Sequence, residues 1–261
     1  MNIIVCVKQV PEIALIKVDE ASGKVVYPQG PGVINPSDSY ALEEALQIRE
    51  KSGGKITAIS VGGKETEVAL KEALALGVDE AVCLDDPAFE GSDGQAIGFI
   101  LSKGIEKIGE YDLVLCGKQA IDSDNAMVAP AVAENLGAAQ AMFVRKVESY
   151  DSDKMVVQRT TEDGYDTCEL AFPAVLSVVK ELNEPRLPSL KGKMKAKKAT
   201  IPHWSAADLG VDTAVTGASS PSSIDKAAKP PPRPQGEMIT GETPEEIADK
   251  LFRKLRENQV I

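Results

Sequence analysis

No apolar run in the 261 residues approaches the ~20 that a membrane span requires. The opening MNIIVCVKQV lacks a basic stretch followed by a long apolar segment and a small-residue cleavage site. It reads instead as a buried strand, and a cytoplasmic protein is expected. The four cysteines, Cys6, Cys83, Cys116 and Cys168, stand far apart, with no CxxC pair and no histidine beside any of them. That spacing argues against a cysteine-based metal site and favours small buried hydrophobes in a reducing compartment. A formal net charge of −11 opposes non-specific binding to nucleic acid, itself a polyanion. The Walker pattern GxxxxGK[ST] and the dinucleotide fingerprint GxGxxG are both missing. The one histidine, His203, follows Pro202 in a loop-like stretch without a carboxylate or thiol near it in sequence. A surface role is expected for it, and no catalytic set emerges.

What is present is an alternation of apolar runs with helical patterns. Strands are expected at Ile3–Val7, Lys55–Val61, Ala81–Leu84 and Asp112–Cys116. Between them, helical spacing begins near Ser37 to Ser39, runs from Glu65 to Leu76 before Gly77, and follows the cap candidates Ser92 and Asp93. A further helix is expected from Asn125 to Leu136, closed by Gly137, and a hairpin around the turn Asp19–Gly23. After Ala141 three polar-alternating strands suggest an antiparallel extension, and Ala174–Val179 returns to a core strand. The expected fold is therefore α/β, a doubly wound, mostly parallel, Rossmann-like sheet of nucleotide-binding type, with a small antiparallel extension and a C-terminal helical arm. Residues 1–210 would form that domain, the Ser-, Ala- and Pro-rich residues 211–235 an extended linker, and residues 236–261 the arm. In the arm, Thr243, Pro244 and Glu246 spell a helix start with a capping box, and Ile247, Ala248, Leu251 and Leu255 form an apolar stripe that needs a surface to cover.

Doubly wound sheets hold ligands at the carboxyl ends of their strands, where helix N-termini offer free N–H groups to anions. Three such ends stand out. Val61–Lys64 (VGGK) is either a tight turn or an anion-facing loop, and Asn35–Asp38 is either a helix cap or a ligand contact. Gly117–Ala129 (GKQAIDSDNAMVA) leaves a buried strand and enters a helix; it could cradle a pyrophosphate through backbone N–H groups and the Asn125 amide, or be a polar loop capped by Asp124. Against the acidic background, residues 191–198 read KGKMKAKK, a lysine cluster that is ordinarily a solvated face.

Three segments carry a resemblance: VCVKQVPE with the later NPSDSYALEEAL, DLVLCGKQAIDSDNAMVAP, and LNEPRLPSLKGKMKAKK from Leu182 to Lys198. In this order, through nearly the whole chain, they resemble the electron-transfer flavoprotein beta family. The resemblance implies an alpha-subunit partner carrying a redox-active FAD, against which the beta subunit and its arm clamp while holding AMP. Nucleotide contacts carried over by position are Cys6, Asn35, Pro36, Ser37, Asp38 and Val61. To these it adds Asp122, Ser123, Asp124, Asn125, Ala126, Met127, Val128, Ala129, Pro130, Ala131 and Val132. Residues 182–198 resemble the family's recognition loop, which docks on acyl-CoA-type dehydrogenases. There Leu190 would be the apolar anchor, with Lys191, Lys193, Lys195, Lys197 and Lys198 supplying electrostatic guidance.

One branch of the family replaces AMP with a second FAD and performs NADH-linked electron bifurcation. VKQVPE, AFEGSD (Ala88–Asp93) and the tail from Gly236 resemble that branch, whereas Asn125, Ala126, Met127 and Ala129 depart from it. The simple electron carrier is the expected function, with the bifurcating variant and a stand-alone nucleotide sensor as alternatives.

Overall fold

The computed structural model describes residues 1–19, 21–27, 30, 32–233 and 235–261. Glu20 of the expected hairpin turn and Pro234 of the expected linker lie outside the described residues. The chain divides into two compact units, Met1–Ala227 and Ala228–Ile261. The first begins with β1 (Asn2–Cys6), β2 (Gln9–Val10), the hairpin β3 (Lys17–Asp19) and β4 (Lys24–Val26), β5 (Val33–Ile34) and α1 (Pro36–Ser52). It continues with β6 (Lys55–Val61), α2 (Glu67–Leu76), β7 (Glu80–Leu84), α3 (Gly94–Ile108), β8 (Leu113–Gly117) and α4 (Val128–Leu136). It ends with β9 (Ala139–Tyr150), β10 (Lys154–Thr161), β11 (Gly164–Ala171), β12 (Ala174–Val178), α5 (Leu190–Lys198), β13 (His203–Trp204) and α6 (Ala206–Leu209).

These strands make one nine-stranded sheet in the order β11-β10-β9-β12-β8-β1-β6-β7-β13. From β9 to β13 every neighbouring pair is parallel, and only the β9–β10 and β10–β11 pairs at the far edge are antiparallel. The expected antiparallel extension is the meander β9–β10–β11, which joins the parallel core where β9 pairs with β12. All five residues of β8 and of β12 are buried, as strands covered on both faces must be. One face packs under α1 and α2, through Leu42, Leu46 and Leu70, and the other under α3 and α4, through Ile100, Ile105 and Val132. Strand order reverses beside β1: the chain builds β6 and β7 on one side, then returns through α3 to lay β8 on the other. That reversal opens a crevice at the carboxyl ends of β1 and β8.

Helix boundaries follow local chemistry. Asp93 accepts the Ala96 N–H (2.9 Å) to start α3, and Gly137 in the left-handed region (φ 61°) closes α4. Two expected starts differ. α1 begins at Pro36, since proline suits the first turn; α4 begins at Val128 and not Asn125, because Asp124 (φ 57°) and Ala126 (φ 50°) take left-handed conformations that no helix accepts.

Residues 211–222, expected as linker, bond to the domain. Thr216 Oγ1 donates to the Ala88 carbonyl (2.9 Å) and the Gly217 N–H donates to Ser92 Oγ (2.7 Å). In the second unit, α7 (Pro244–Glu257) starts as its sequence indicates, with Thr243 Oγ1 accepting the Glu246 N–H (3.2 Å). Glu246 reaches back to the Glu242 N–H (2.9 Å), one residue before the position a capping box would use.

α3 and α4 lie in close contact at Gly98, where an added Cβ would stand 2.4 Å from the Ala131 Cβ. Overpacking there costs about 1–3 kcal/mol, more than the ~1 kcal/mol that alanine gains over glycine in a helix. Gly98→Ala should therefore lower stability in urea denaturation; an unchanged midpoint would mean that the two helices part freely.

Candidate functional site

The crevice is built where α1 starts against the end of β8. Gly117 has no side chain because none fits: a Cβ there would lie 2.3 Å from Asp38 Oδ1 and 2.6 Å from the Ser37 carbonyl carbon. This contact brings Asn35–Asp38 beside the 117–127 loop, so two of the segments that stood out in the sequence share one site. Asn35, buried, does not cap α1 with its side chain. Its amide donates to Asp38 Oδ1 (2.9 Å) and the Gln119 carbonyl (3.0 Å), while its oxygen accepts the Ile121 N–H (3.1 Å). One side chain thereby latches the loop to the helix. A second latch is the ion pair between Lys8, just past β1, and Asp122 (2.7 Å). Nothing in the sequence singled out Lys8, since a lysine after a strand carries no motif.

Asp38 is buried, and that burial pushes its carboxyl up to about 7 against the pull of the Lys8 N–H, the Asn35 amide, the Gly117 N–H and the Lys8 charge. With Asp38 raised towards neutrality and Asp122 paired, two of the site's acids carry less free charge than the sequence suggests.

The remaining predicted residues divide by position. Cys6 and Val61 end neighbouring strands, Cys6 buried in register with Ile59 and Cys116, and Val61 half-buried. Pro36 and Ser37 form the first turn of α1, with the Asp38 N–H bonded to the Asn35 carbonyl (2.9 Å). Ser123 and Asp124 turn back on the Ala120 carbonyl (3.3 and 2.8 Å), and Asn125 Oδ1 accepts the Met127 N–H (3.1 Å). Asn125 therefore shapes the loop. Val128, Ala129, Pro130, Ala131 and Val132 lie in α4, but Ala129 and Val132 turn their side chains into the core. Any part they play at the edge belongs to the backbone.

Among the described residues, the N–H groups of Ser37, Ala126, Val128 and Ala129 meet no protein acceptor. The left-handed Ala126 and the right-handed Met127 turn the backbone just before the start of α4. Free N–H donors at two helix starts suit a phosphate or pyrophosphate, so the residues present fit the phosphate of a nucleotide. Val61–Lys64, the third segment, serves the fold locally: the Gly62 N–H donates to the Leu84 carbonyl (3.0 Å), and a Cβ on Gly62 (φ 152°) would strike Thr66 Oγ1 at 2.2 Å.

His203 lies at the surface, as expected, but with carboxylates beside it. β13 aligns it with Cys83 at the sheet edge, and its ring lies 2.8 Å from Asp85 Oδ2 and 3.2 Å from Glu67 Oε1. Both partners are more than a hundred residues away in sequence, beyond any local signal.

The lysine-rich segment forms a second surface. Residues 190–198 are helical, not looped, because Ser189 Oγ accepts the Gly192 N–H (3.0 Å) and starts α5. Gly192 and Ala196, one turn apart, press α5 onto α2; a Cβ on Gly192 would lie 2.1 Å from the Ala75 carbonyl oxygen. The opposite face presents Leu190 (78% exposed) and Met194 (60%), flanked by Lys191, Lys193, Lys195, Lys197 and Lys198. Arg186 fixes the approach to α5. Its guanidinium donates to Glu43 (2.8 and 2.9 Å) and to Glu50, while Asn183 donates to Glu44 Oε2 (3.1 Å).

Fold and crevice together define a doubly wound α/β protein whose binding edge lies at the reversal of strand order. Residues 23–209 match the sequence family described as the electron transfer flavoprotein domain. The chain is similar, at 45% identity over the full length of both proteins, to the electron transfer flavoprotein subunit beta of Thermoanaerobacterium thermosaccharolyticum. It is 39% identical, again over both full lengths, to the caffeyl-CoA reductase-Etf complex subunit CarD of Acetobacterium woodii. Protein FixA of Bradyrhizobium diazoefficiens is 36% identical across 99% of this chain and 92% of its own. The chain belongs to the electron-transfer flavoprotein beta-subunit family, an electron-transfer, flavin-associated group whose beta subunits imply an alpha partner. Among the described residues no helix is long and apolar enough to cross a membrane.

Two outcomes follow for the crevice. Asn35→Ala strands buried loop groups at about 1–3 kcal/mol, and hydrogen exchange across residues 117–127 should rise; unchanged protection would remove Asn35 as the latch. An unfolded aspartate titrates near 3.8, so between that value and about 7 the folded chain holds an extra proton on Asp38. The stability this group contributes is full below the lower value and is lost as pH rises through the window. A carboxyl-carbon NMR titration should place the Asp38 midpoint near neutrality, and one near 4 would contradict it.

Proposed function

We propose that this chain is the beta subunit of a heterodimeric carrier that shuttles electrons between its shared FAD and an acyl-CoA-type dehydrogenase and holds AMP in the β1/β8 crevice. The observation that carries this reading is the 117–127 loop latched beside the start of α1, with N–H groups free at the starts of both α1 and α4. An adenylate phosphate would sit on the N–H groups of Ser37, Ala126, Val128 and Ala129, a preorganised anion site that asks for no lysine. The FAD, shared with the alpha partner, supplies the one- and two-electron chemistry. This chain's part is to hold the nucleotide, to offer the arm's stripe of Ile247, Leu251 and Phe252 to the partner subunit, and to dock the complex through α5.

The exposed Leu190 is an anchor of the size that gains about 1.5–3 kcal/mol on burial, and the surrounding lysines steer encounter with an acidic rim. That CarD is named for a complex with a caffeyl-CoA reductase supports a partner acting on CoA thioesters. The bifurcating variant, with a second FAD in place of AMP, is the alternative favoured by Ala88–Asp93. That segment is fixed close to α4, since an added Cβ on Gly94 would stand 3.0 Å from the Met127 Cβ.

Co-expression with an alpha partner and mass spectrometry of the extracted nucleotides separates the readings. One FAD and one AMP per heterodimer supports the carrier, two FAD supports bifurcation, and a colourless homo-oligomer would leave only a nucleotide sensor. Leu190→Ala should slow electron transfer with the dehydrogenase about 10-fold or more, the equivalent of 1.4 kcal/mol, without releasing nucleotide. Unaltered kinetics would rule out the docking role. Removing residues 236–261 should weaken heterodimer assembly, measured by analytical ultracentrifugation, and an intact heterodimer would show that the arm does not clamp the partner.

A further inference from the structure

Phe143 is the one residue of β9 with a left-handed backbone (φ 64°), a conformation that favours glycine and is rare for a bulky side chain. It lies in a β-bulge. Ala141 pairs with Leu176 and Val144 with Val178, so Met142 and Phe143 together face the single residue Ser177. Ser177 is buried in the middle of β12, and its hydroxyl accepts the Phe143 N–H at 2.9 Å, which stabilises the strained turn from within the core. A bulge of this kind re-aims a side chain, and such bulges concentrate beside functional sites.

The re-aimed side chain does not serve the core. Phe143 is half-buried, yet it belongs to neither apolar cluster, whereas its neighbours Ala141, Met142 and Val144 all do. Over its ring stands Lys118, whose ammonium lies 5.6 Å from the ring centre. Lys118 directly follows Gly117, at the mouth of the crevice. It is exposed, and no carboxylate pairs with it among the described residues. An aromatic ring held at a backbone cost beside an unneutralised cation, at the carboxyl edge of the sheet, has the chemistry to receive a planar ring that gains negative charge.

We propose that Phe143 and Lys118 form a flavin platform, on which the phenyl ring packs against an isoalloxazine and the ammonium stabilises the charge of its reduced form. This rests on the reading of the chain as a flavoprotein beta subunit and adds the residues through which this chain touches the redox ring. The isoalloxazine could belong to the FAD shared with the alpha partner or to one held by this subunit.

The test compares Phe143→Gly, Phe143→Tyr and Lys118→Gln. In the isolated chain, Phe143→Gly relieves the left-handed strain, so its thermal midpoint should be unchanged or higher than that of the original protein. In the heterodimer the same variant should shift the long-wavelength flavin absorption band and the flavin fluorescence, while Phe143→Tyr retains both. Lys118→Gln should move the flavin midpoint potential to more negative values, because the reduced anion loses its cation. A perturbation seen only in the heterodimer assigns the shared FAD. One reproduced when FAD is added to the isolated chain assigns a flavin of this subunit. A yellow heterodimer whose flavin spectrum and potential ignore all three substitutions overturns the platform alone, as does a loss of subunit assembly with no spectral change. A colourless wild-type heterodimer overturns both the platform and the proposed function.

Discussion

The site depends on one close approach, that of the first turn of α1 to the last residue of β8. Gly117 leaves the space that the Asp38 carboxyl and the Ser37 backbone occupy, and any side chain there would separate helix from strand. Because they touch, Asn35 can reach the Gln119 carbonyl and the Ile121 N–H, and the loop that follows β8 is held in one shape. Its two left-handed residues at Asp124 and Ala126 are sustained by that shape, and they in turn delay the start of α4 until Val128. The free N–H groups at the crevice are the outcome of a packing constraint several residues away.

Electrostatics follows from the same approach. An acidic chain of net charge −11 is a poor host for a phosphate unless its local acids are silenced. Burial weakens the charge of Asp38 and the Lys8 ion pair offsets that of Asp122, which lessens the competition met by the backbone dipoles at the helix starts. The opposite strategy is used at α5. There the lysines stay solvated and unburied, while Gly192 and Ala196 supply the attachment and the Arg186 pairs with Glu43 and Glu50 hold the approaching chain. Binding and docking are thus separated in charge as well as in place.

Much of the architecture was legible because its causes are local. Continuous apolar runs such as DLVLC and AVLSV can only be strands covered on both sides, and Gly77, Asp93 and Gly137 mark helix ends by their own conformational or hydrogen-bonding preferences. The three chemically suggestive segments were visible for the same reason. What escaped was set by partners distant in sequence: the Asp85 and Glu67 carboxylates beside His203, the Lys8 pair with Asp122, and the pinning of α5 to α2. The bulge at Phe143 escaped as well, since a phenylalanine in a strand-like run gives no sign that its backbone will be left-handed.

By itself the sequence determined the α/β class, the order of most elements, the family resemblance and the segments from which a nucleotide edge could be made. These depend on periodicity, caps and motifs, which act within a few residues. Only the tertiary structure decided that Asn35 latches a loop and does not cap a helix, that burial raises the Asp38 carboxyl to about 7, and that Ala129 and Val132 turn inward. Each of those outcomes is fixed by which strands become neighbours at the reversal beside β1, and proximity across a sheet is a property that no stretch of chain possesses alone.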